Sequence, residues 1–167
     1  MGVRYSRGFE ILFGKQKMKF ISHRGNLTGK QPELENSPNF IDSAISKGYD
    51  VEIDLRTDQQ GDLYLGHDTL DHAINIQYLL DRKNMLWIHC KDRQAFDICL
   101  QYKLNCFWHT NDDYTLTSNG TVWAYPGRLP TKSNCVMVLP EIFWNLQEIK
   151  EFKTFGICSD LIALIKE

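Results

Sequence analysis

The chain has no surplus of positive charge, no paired-cysteine motif, no long apolar run and no repeat, and each absence removes a class of function. Lysine and arginine total 19 against 21 acids, giving a formal charge of -2 and a pI near 6.2. The basic residues are scattered and form no stripe of the kind that tracks a nucleic-acid backbone, so nucleic acid is not an expected partner. The five cysteines (Cys90, Cys99, Cys106, Cys135 and Cys158) contain no C-x-x-C pair and lie mostly inside apolar runs. They read as reduced, buried thiols of a cytoplasmic protein and not as ligands. No segment has the length needed to cross a bilayer, and Ile11-Leu12-Phe13 is too short for the core of a signal peptide. With no repeat or low-complexity tract, 167 residues fit one domain with one core. A soluble domain is expected over 18–167. Residues 1–17 read as a leader, whether an added segment, an extended start or an outer helix. Nothing in the sequence speaks to the oligomeric state.

What the chain does have is a strong alternation at Val51-Glu52-Ile53-Asp54-Leu55-Arg56. In an extended segment its three aliphatic residues share one face and its charged residues the other. Upstream, Phe20-Ile21-Ser22 leads into His23-Arg24-Gly25; downstream, Leu63-Tyr64-Leu65-Gly66 leads into His67-Asp68. Two strands therefore deliver a histidine at their carboxyl ends, flanking a strand that carries two acids. Asn36 or Ser37 followed by Pro38 is a helix start, and Phe40, Ile41, Ala44 and Ile45 recur on one face until Gly48. Strand, helix and strand within this length make a βαβ crossover with parallel strands.

Further on, Asp58 to Asp62 is turn chemistry, so the 51–56 strand runs into a small hairpin with its return arm at 63–66. Helices are predicted at 75–82, 93–102, 143–151 and 160–166, and parallel strands begin near 19, 50, 85, 105, 121, 135 and 155. The alternation predicts an α/β fold, a (β/α) TIM-type barrel or an open parallel sheet. An eight-fold barrel takes about 250 residues. The crossovers 111–121 and 126–134 are too short or too rich in turn residues for full helices. The expectation is a compact, shortened barrel of seven to eight parallel strands with a hairpin after strand 2.

Several motifs resemble those of the glycerophosphodiester phosphodiesterases, members of the phospholipase-C-like phosphodiesterase barrels. They are His23-Arg24-Gly25, Glu35-Asn36-Ser37, Gly48 to Leu55, Thr57-Asp58 to Gly61 and Gly66-His67-Asp68, in the family's order and spacing across 19–68. Gly156-Ile157-Cys158-Ser159-Asp160 is similar to the family's closing strand. The resemblance implies a metal-dependent barrel enzyme that cleaves a phosphodiester, with His23 and His67 exchanging protons and Glu52 and Asp54 holding one divalent cation.

The residues themselves read compatibly. Two carboxylates on one face in a cleft repel each other, and a hard divalent cation relieves that repulsion. Imidazoles titrate near neutrality, so one can act as base and the other as acid. Arg24 can grip phosphate oxygens through paired hydrogen bonds, and Lys91 adds a point charge or pairs with Glu52 or Asp54. Glu35 either touches substrate or holds its loop through backbone amides.

One departure from the family stands out: its third acid, two residues ahead of a lysine, is His89 here, ahead of Lys91. His89 is either a third ligand or an interior histidine. As a ligand it would move the preference from Mg or Ca, the default cations, towards Mn or Zn. Glu141 could supply the missing acid instead. His109, Thr110 and Asn111 could line the same mouth, and His72 falls in a solvated loop. Trp87, Trp108, Trp123 and Tyr125 read as core. The functional expectation is a compact phosphodiesterase acting on a small, polar, glycerol-linked phosphodiester. The alternatives are a non-catalytic barrel that binds a phosphate ligand and a lyase that forms a cyclic phosphate.

Overall fold

The computed structural model describes residues 18–131 and 134–167, so the leader read at 1–17 lies outside the described residues. The alternation at 51–56 does form a strand, and the rest is built on it. Strand β1 (Lys19–His23) and strand β2 (Asp50–Thr57) are joined through helix α1 (Pro38–Ser46). Pro38 sits in the first turn of α1, and Gly48, with φ of 80°, follows its end. Strands β3 (Leu63–Leu65) and β4 (His72–Ile74) add an antiparallel meander to the far end of β2, where Leu55, Arg56 and Thr57 pair with Leu65, Tyr64 and Leu63. His72 therefore lies in a strand, paired with Leu65, and not in a loop.

Helix α2 (Ile76–Arg82), strand β5 (Leu86–Cys90), helix α3 (Arg93–Gln101) and strand β6 (Cys106–Phe107) continue the alternation. Asn75 and Asp92 cap the two helices, each accepting from a backbone amide of the first turn. Strands β7 (Tyr114–Leu116), β8 (Val122–Ala124) and β9 (Cys135–Val138) follow, then a 3-10 turn at Pro140–Ile142. Helix α4 (Leu146–Glu151), strand β10 (Gly156–Ser159) and helix α5 (Ile162–Lys166) close the chain, and Asn145 with Glu148 forms a capping box at α4.

All seven expected parallel strands are present, hydrogen-bonded in the order β6-β5-β2-β1-β10-β9-β8. This is the neighbour order of a barrel, but among the described residues no ladder joins β6 to β8. The expected closed barrel is therefore a curled sheet open at one seam. The cause is the segment read as a bare crossover at 111–121, which forms β7 and pairs antiparallel with β8, occupying the edge that β6 would need. The seam is bridged instead by Ser118: its amide donates to the Cys106 carbonyl at 2.7 Å, and its Oγ accepts from the Cys106 amide at 3.0 Å.

Alternation along β2 divides the protein into two layers. Val51, Ile53 and Leu55 are fully buried against α1, α2 and α3 with Ile41, Leu79, Ile88 and Cys99. Each such aliphatic side chain contributes roughly 1.5–3 kcal/mol by leaving water. Glu52 and Asp54 point the other way, onto the concave face, where Ile21, Trp87, Phe107, Trp123, Val136 and Cys158 pack. Trp87 and Trp123 are core as expected. Trp108 and Tyr125 are not: they are 42% and 46% exposed, because each stands just beyond the carboxyl end of its strand.

Candidate active site

The concave face carries the acids at the carboxyl ends of the parallel strands. Register places Glu52 beside His23 of β1 and Asp54 beside His89 of β5. Glu52, Asp54 and His89 each present a ligand atom within 4.8 Å of the other two. The His89 Nδ1 is 3.3 Å from Asp54 Oδ1 and 3.8 Å from Glu52 Oε1. Glu52 Oε2, Asp54 Oδ1 and His89 Nε2 are all buried without a hydrogen-bond partner. Two buried carboxylates with spare lone pairs and an adjacent imidazole suit a divalent cation, and the unpartnered carboxylate oxygens are what such an ion would satisfy.

The electrostatics divide the acids. Burial raises the Glu52 pKa above its ordinary value, and the neighbouring Asp54 charge raises it further. Asp54 is also opposed by burial, yet His89, Arg24 and Asn36 outweigh that and hold it well below the usual carboxylate range. Asn36 grips Asp54 at both ends: its side-chain amide donates to Asp54 Oδ2 at 3.0 Å, and its oxygen accepts from the Asp54 amide at 2.9 Å.

Arg24 lies across the same acid. Its Nε is 2.8 Å from Asp54 Oδ2, and its Nη1 donates to Glu35 Oε2 at 3.1 Å. Glu35 also accepts from Asn26 Nδ2 at 2.9 Å, so it holds its loop through two side chains and not through backbone amides. Arg24 and Asn36 are both left-handed, with φ of 56° and 60°, a conformation costing on the order of 1–3 kcal/mol each outside glycine. They sustain each other: the Asn36 amide donates to the Arg24 carbonyl at 3.1 Å, and the Arg24 amide to the Glu52 carbonyl at 2.9 Å.

His23 is buried, with Nδ1 2.7 Å from Asp160 Oδ1 and Nε2 3.9 Å from Glu52 Oε2. Asp160 also accepts from Asn26 Nδ2 at 2.8 Å. Burial lowers the His23 pKa, but the hydrogen bond to Asp160 and the Glu52 charge reverse the sign and raise it. The carboxylate of Asp160 is held down by His23 despite its own burial.

His67 stands apart from this buried group, half-exposed, with Nδ1 2.8 Å from Asp68 Oδ1. It is tied to the mouth through the backbone: the Gly66 amide donates to the Asp54 carbonyl at 3.1 Å, and Arg56 Nε donates to the His67 carbonyl at 3.0 Å. Lys91 Nζ is 3.7 Å from Asp54 Oδ1, making it an ion-pair partner of that acid.

His109 stacks on His89 with ring centroids 4.9 Å apart, so it does line the mouth. Burial, His89 and Lys91 push its pKa down to about 4. Glu141 does not join the acids: its Oε1 accepts from Ser159 Oγ at 2.7 Å and the Asp160 amide at 2.8 Å, which fixes the end of β10. Asp160, Asn26 and Asn36 carry roles that sequence reasoning missed. All three fall within or beside motifs singled out above, and their only further signal was polarity at a strand end or helix start.

The fold and site define a class: an α/β protein whose seven parallel strands follow barrel order in a curled sheet open at one seam, with an acid and imidazole cluster at their carboxyl mouth. Among solved structures it is similar to the glycerophosphodiester phosphodiesterase from Agrobacterium tumefaciens str. C58, with 14% identity, a TM-score of 0.53, and 89% of this chain and 97% of that chain covered. A second similar structure is the glycerophosphodiester phosphodiesterase from Thermotoga maritima, with 16% identity, a TM-score of 0.47 and the same coverage of 89% and 97%. At such identity the likeness to the first is one of fold. No family model matches the chain, and no curated protein does. Among the described residues, no helix is long and apolar enough to cross a membrane.

Proposed function

We infer that this chain is a member of the glycerophosphodiester phosphodiesterase family and cleaves a small, polar, glycerol-linked phosphodiester by histidine acid and base catalysis. The observation that carries this reading is the convergence of His23, Arg24, Glu52, Asp54 and His89, drawn from three strands, around buried atoms that lack partners. The fold likeness supports it.

Glu52, Asp54 and His89 would hold one divalent cation. When bound, the cation neutralises charge on the phosphate oxygens. Arg24 and Lys91 supply further positive charge at the mouth and orient the phosphate. With Nδ1 engaged by Asp160, His23 offers Nε2 to take the proton from the attacking hydroxyl or water. His67, at the wetter rim, returns a proton to the departing alkoxide. Asp160 holds the His23 ring in one tautomer, and Glu35 and Asn26 hold the loop that carries Arg24.

Purified protein supplied with Mg, Ca, Mn or Zn should release an alcohol from a panel of glycerophosphodiesters, and His23→Ala should abolish the release. Activity that survives this change removes the assignment. Analysis of the phosphorus product separates hydrolysis, which leaves a phosphomonoester, from formation of a cyclic phosphate. The second reading, a phosphate-binding barrel without catalysis, is favoured by His89 in place of an acid. Calorimetry decides between them: metal binding lost in Glu52→Gln supports the enzyme, and anion binding indifferent to metal supports the binder.

A further inference from the structure

Their spacing in the sequence gave no reason to group the cysteines, yet three of them meet. Cys90 ends β5, Cys99 lies in α3 and Cys106 begins β6, and their sulfurs all lie within 4.8 Å of one another. Each is a free thiol with no exposed surface, enclosed in the apolar layer between the sheet and its helices. Cys135 and Cys158, also free and buried, belong to β9 and β10 and stand outside this group. We propose that Cys90, Cys99 and Cys106 form a three-sulfur site for a soft monovalent cation, Cu(I).

The choice of ion follows from ligand type and coordination number. Sulfur ligands select soft ions, and among the described residues no histidine or carboxylate completes this group. A zinc ion needs a fourth ligand, which this group does not offer among the described residues. Cu(I) accepts three sulfurs. Its entry breaks one S–H bond, forms copper–sulfur bonds and sends one proton to solvent, so the cluster stays neutral and copper keeps its oxidation state.

The site also has a structural consequence. Among the described residues strand β6 has two residues and one ladder, to β5, and across the open seam it is held only through the Cys106 backbone by Ser118. An ion bound by one sulfur from each of β5, α3 and β6 ties this loose edge to its neighbours. Binding to the folded state alone would raise its stability.

The test uses the full chain, reduced and without oxygen, titrated with Cu(I) held by bicinchoninate. The expected result is transfer of one copper per chain, X-ray absorption showing copper bound by three sulfurs, and a higher Tm. Cys99→Ser should weaken uptake at least tenfold, while Cys135→Ser and Glu52→Gln should leave it unchanged. Failure to draw copper from the chelator, or equal uptake by Cys99→Ser and Cys135→Ser, overturns the proposal. Should Cys99→Ser not fold, the coordination in the unaltered protein decides: three sulfurs support the site, and any nitrogen or oxygen ligand, or two sulfurs, sinks it.

Discussion

Asp160 Oδ1 sits 2.7 Å from His23 Nδ1, although 137 residues separate the two in the chain. The pairing needs parallel β1 and β10 in register, with Ser22 beside Ser159, so that the residue after each meets the other. It also leaves Nε2 of His23 facing Glu52 and the mouth.

From that pair follows a titration. The His23 pKa is raised above 6.5, so the stabilisation it contributes is complete below about that pH and fades as pH rises through the folded value. Asp160 is lowered from 3.8, so its contribution is present above that value and lost as pH falls through the folded one. The pair therefore stabilises the fold most between those two limits. In the metal-free protein, nitrogen-resolved NMR should show His23 titrating above 6.5 and Asp160→Asn bringing it down. As a base His23 must be neutral, so activity rises with pH through its pKa. Asp160→Asn should shift that limb to lower pH and slow turnover by about 100- to 10,000-fold. An unshifted limb would show that Asp160 does not govern the proton on His23.

The amide of Asn36 holds both the backbone and the carboxylate of Asp54. Asn36→Ala removes both bonds and leaves the Asp54 carboxylate, among the described residues, with Arg24, His89 and Lys91. Loss of such an outer partner weakens metal binding by about 10- to 100-fold. Calorimetric titration with Mn should show that loss while the folded far-UV spectrum is retained, and unchanged affinity would mean that Asp54 needs no support.

His89 is one atom set away from an acid. His89→Glu returns an oxygen ligand and a negative charge to the place beside Asp54. Oxygen favours Mg and Ca, nitrogen favours Mn and Zn. The substitution should raise affinity for Mg by about 10- to 100-fold while Zn gains little or loses. The ratio of the two dissociation constants is the measurement, and a ratio that does not move would place His89 outside the coordination sphere.

The legible part of this protein was the part governed by local pattern. Val51, Ile53 and Leu55 announced the buried face of β2 by alternation alone, and Pro38 and Gly48 bracketed α1. The motif residues His23, Glu52, Asp54 and His89 converge because parallel strands in register bring carboxyl ends together. What stayed hidden depends on partners distant in the chain. Glu141 looked like a spare acid, but Ser159 and the Asp160 amide claim it. β7 is only three residues long and largely exposed, so the alternation of Tyr114-Thr115-Leu116 is too short to mark it, and it exists because β8 offers an edge. The same pairing left the barrel open, which length alone could not foretell.

Gly25 follows His23 and Arg24 in the turn that aims both, and two separate constraints act on it. Its φ of +98° is one that side-chain-bearing residues rarely adopt, and a Cβ built there would lie 2.5 Å from Cδ1 of Phe40 in α1. Gly25→Ala should therefore destabilise the protein by about 2–4 kcal/mol, the backbone and the clash each taking a share. The two shares separate in a double mutant. Phe40→Ala removes Cγ, Cδ1 and Cε1 and so relieves the clash, but it leaves the backbone strain untouched. In Gly25→Ala/Phe40→Ala the summed single losses should thus exceed the double by a coupling of roughly 0.5–3 kcal/mol, measured by urea unfolding. Strict additivity would assign the whole effect to φ. Because Arg24 shares the turn and reaches Asp54 at 2.8 Å, Gly25→Ala should also lower metal affinity, and Phe40→Ala should restore part of it.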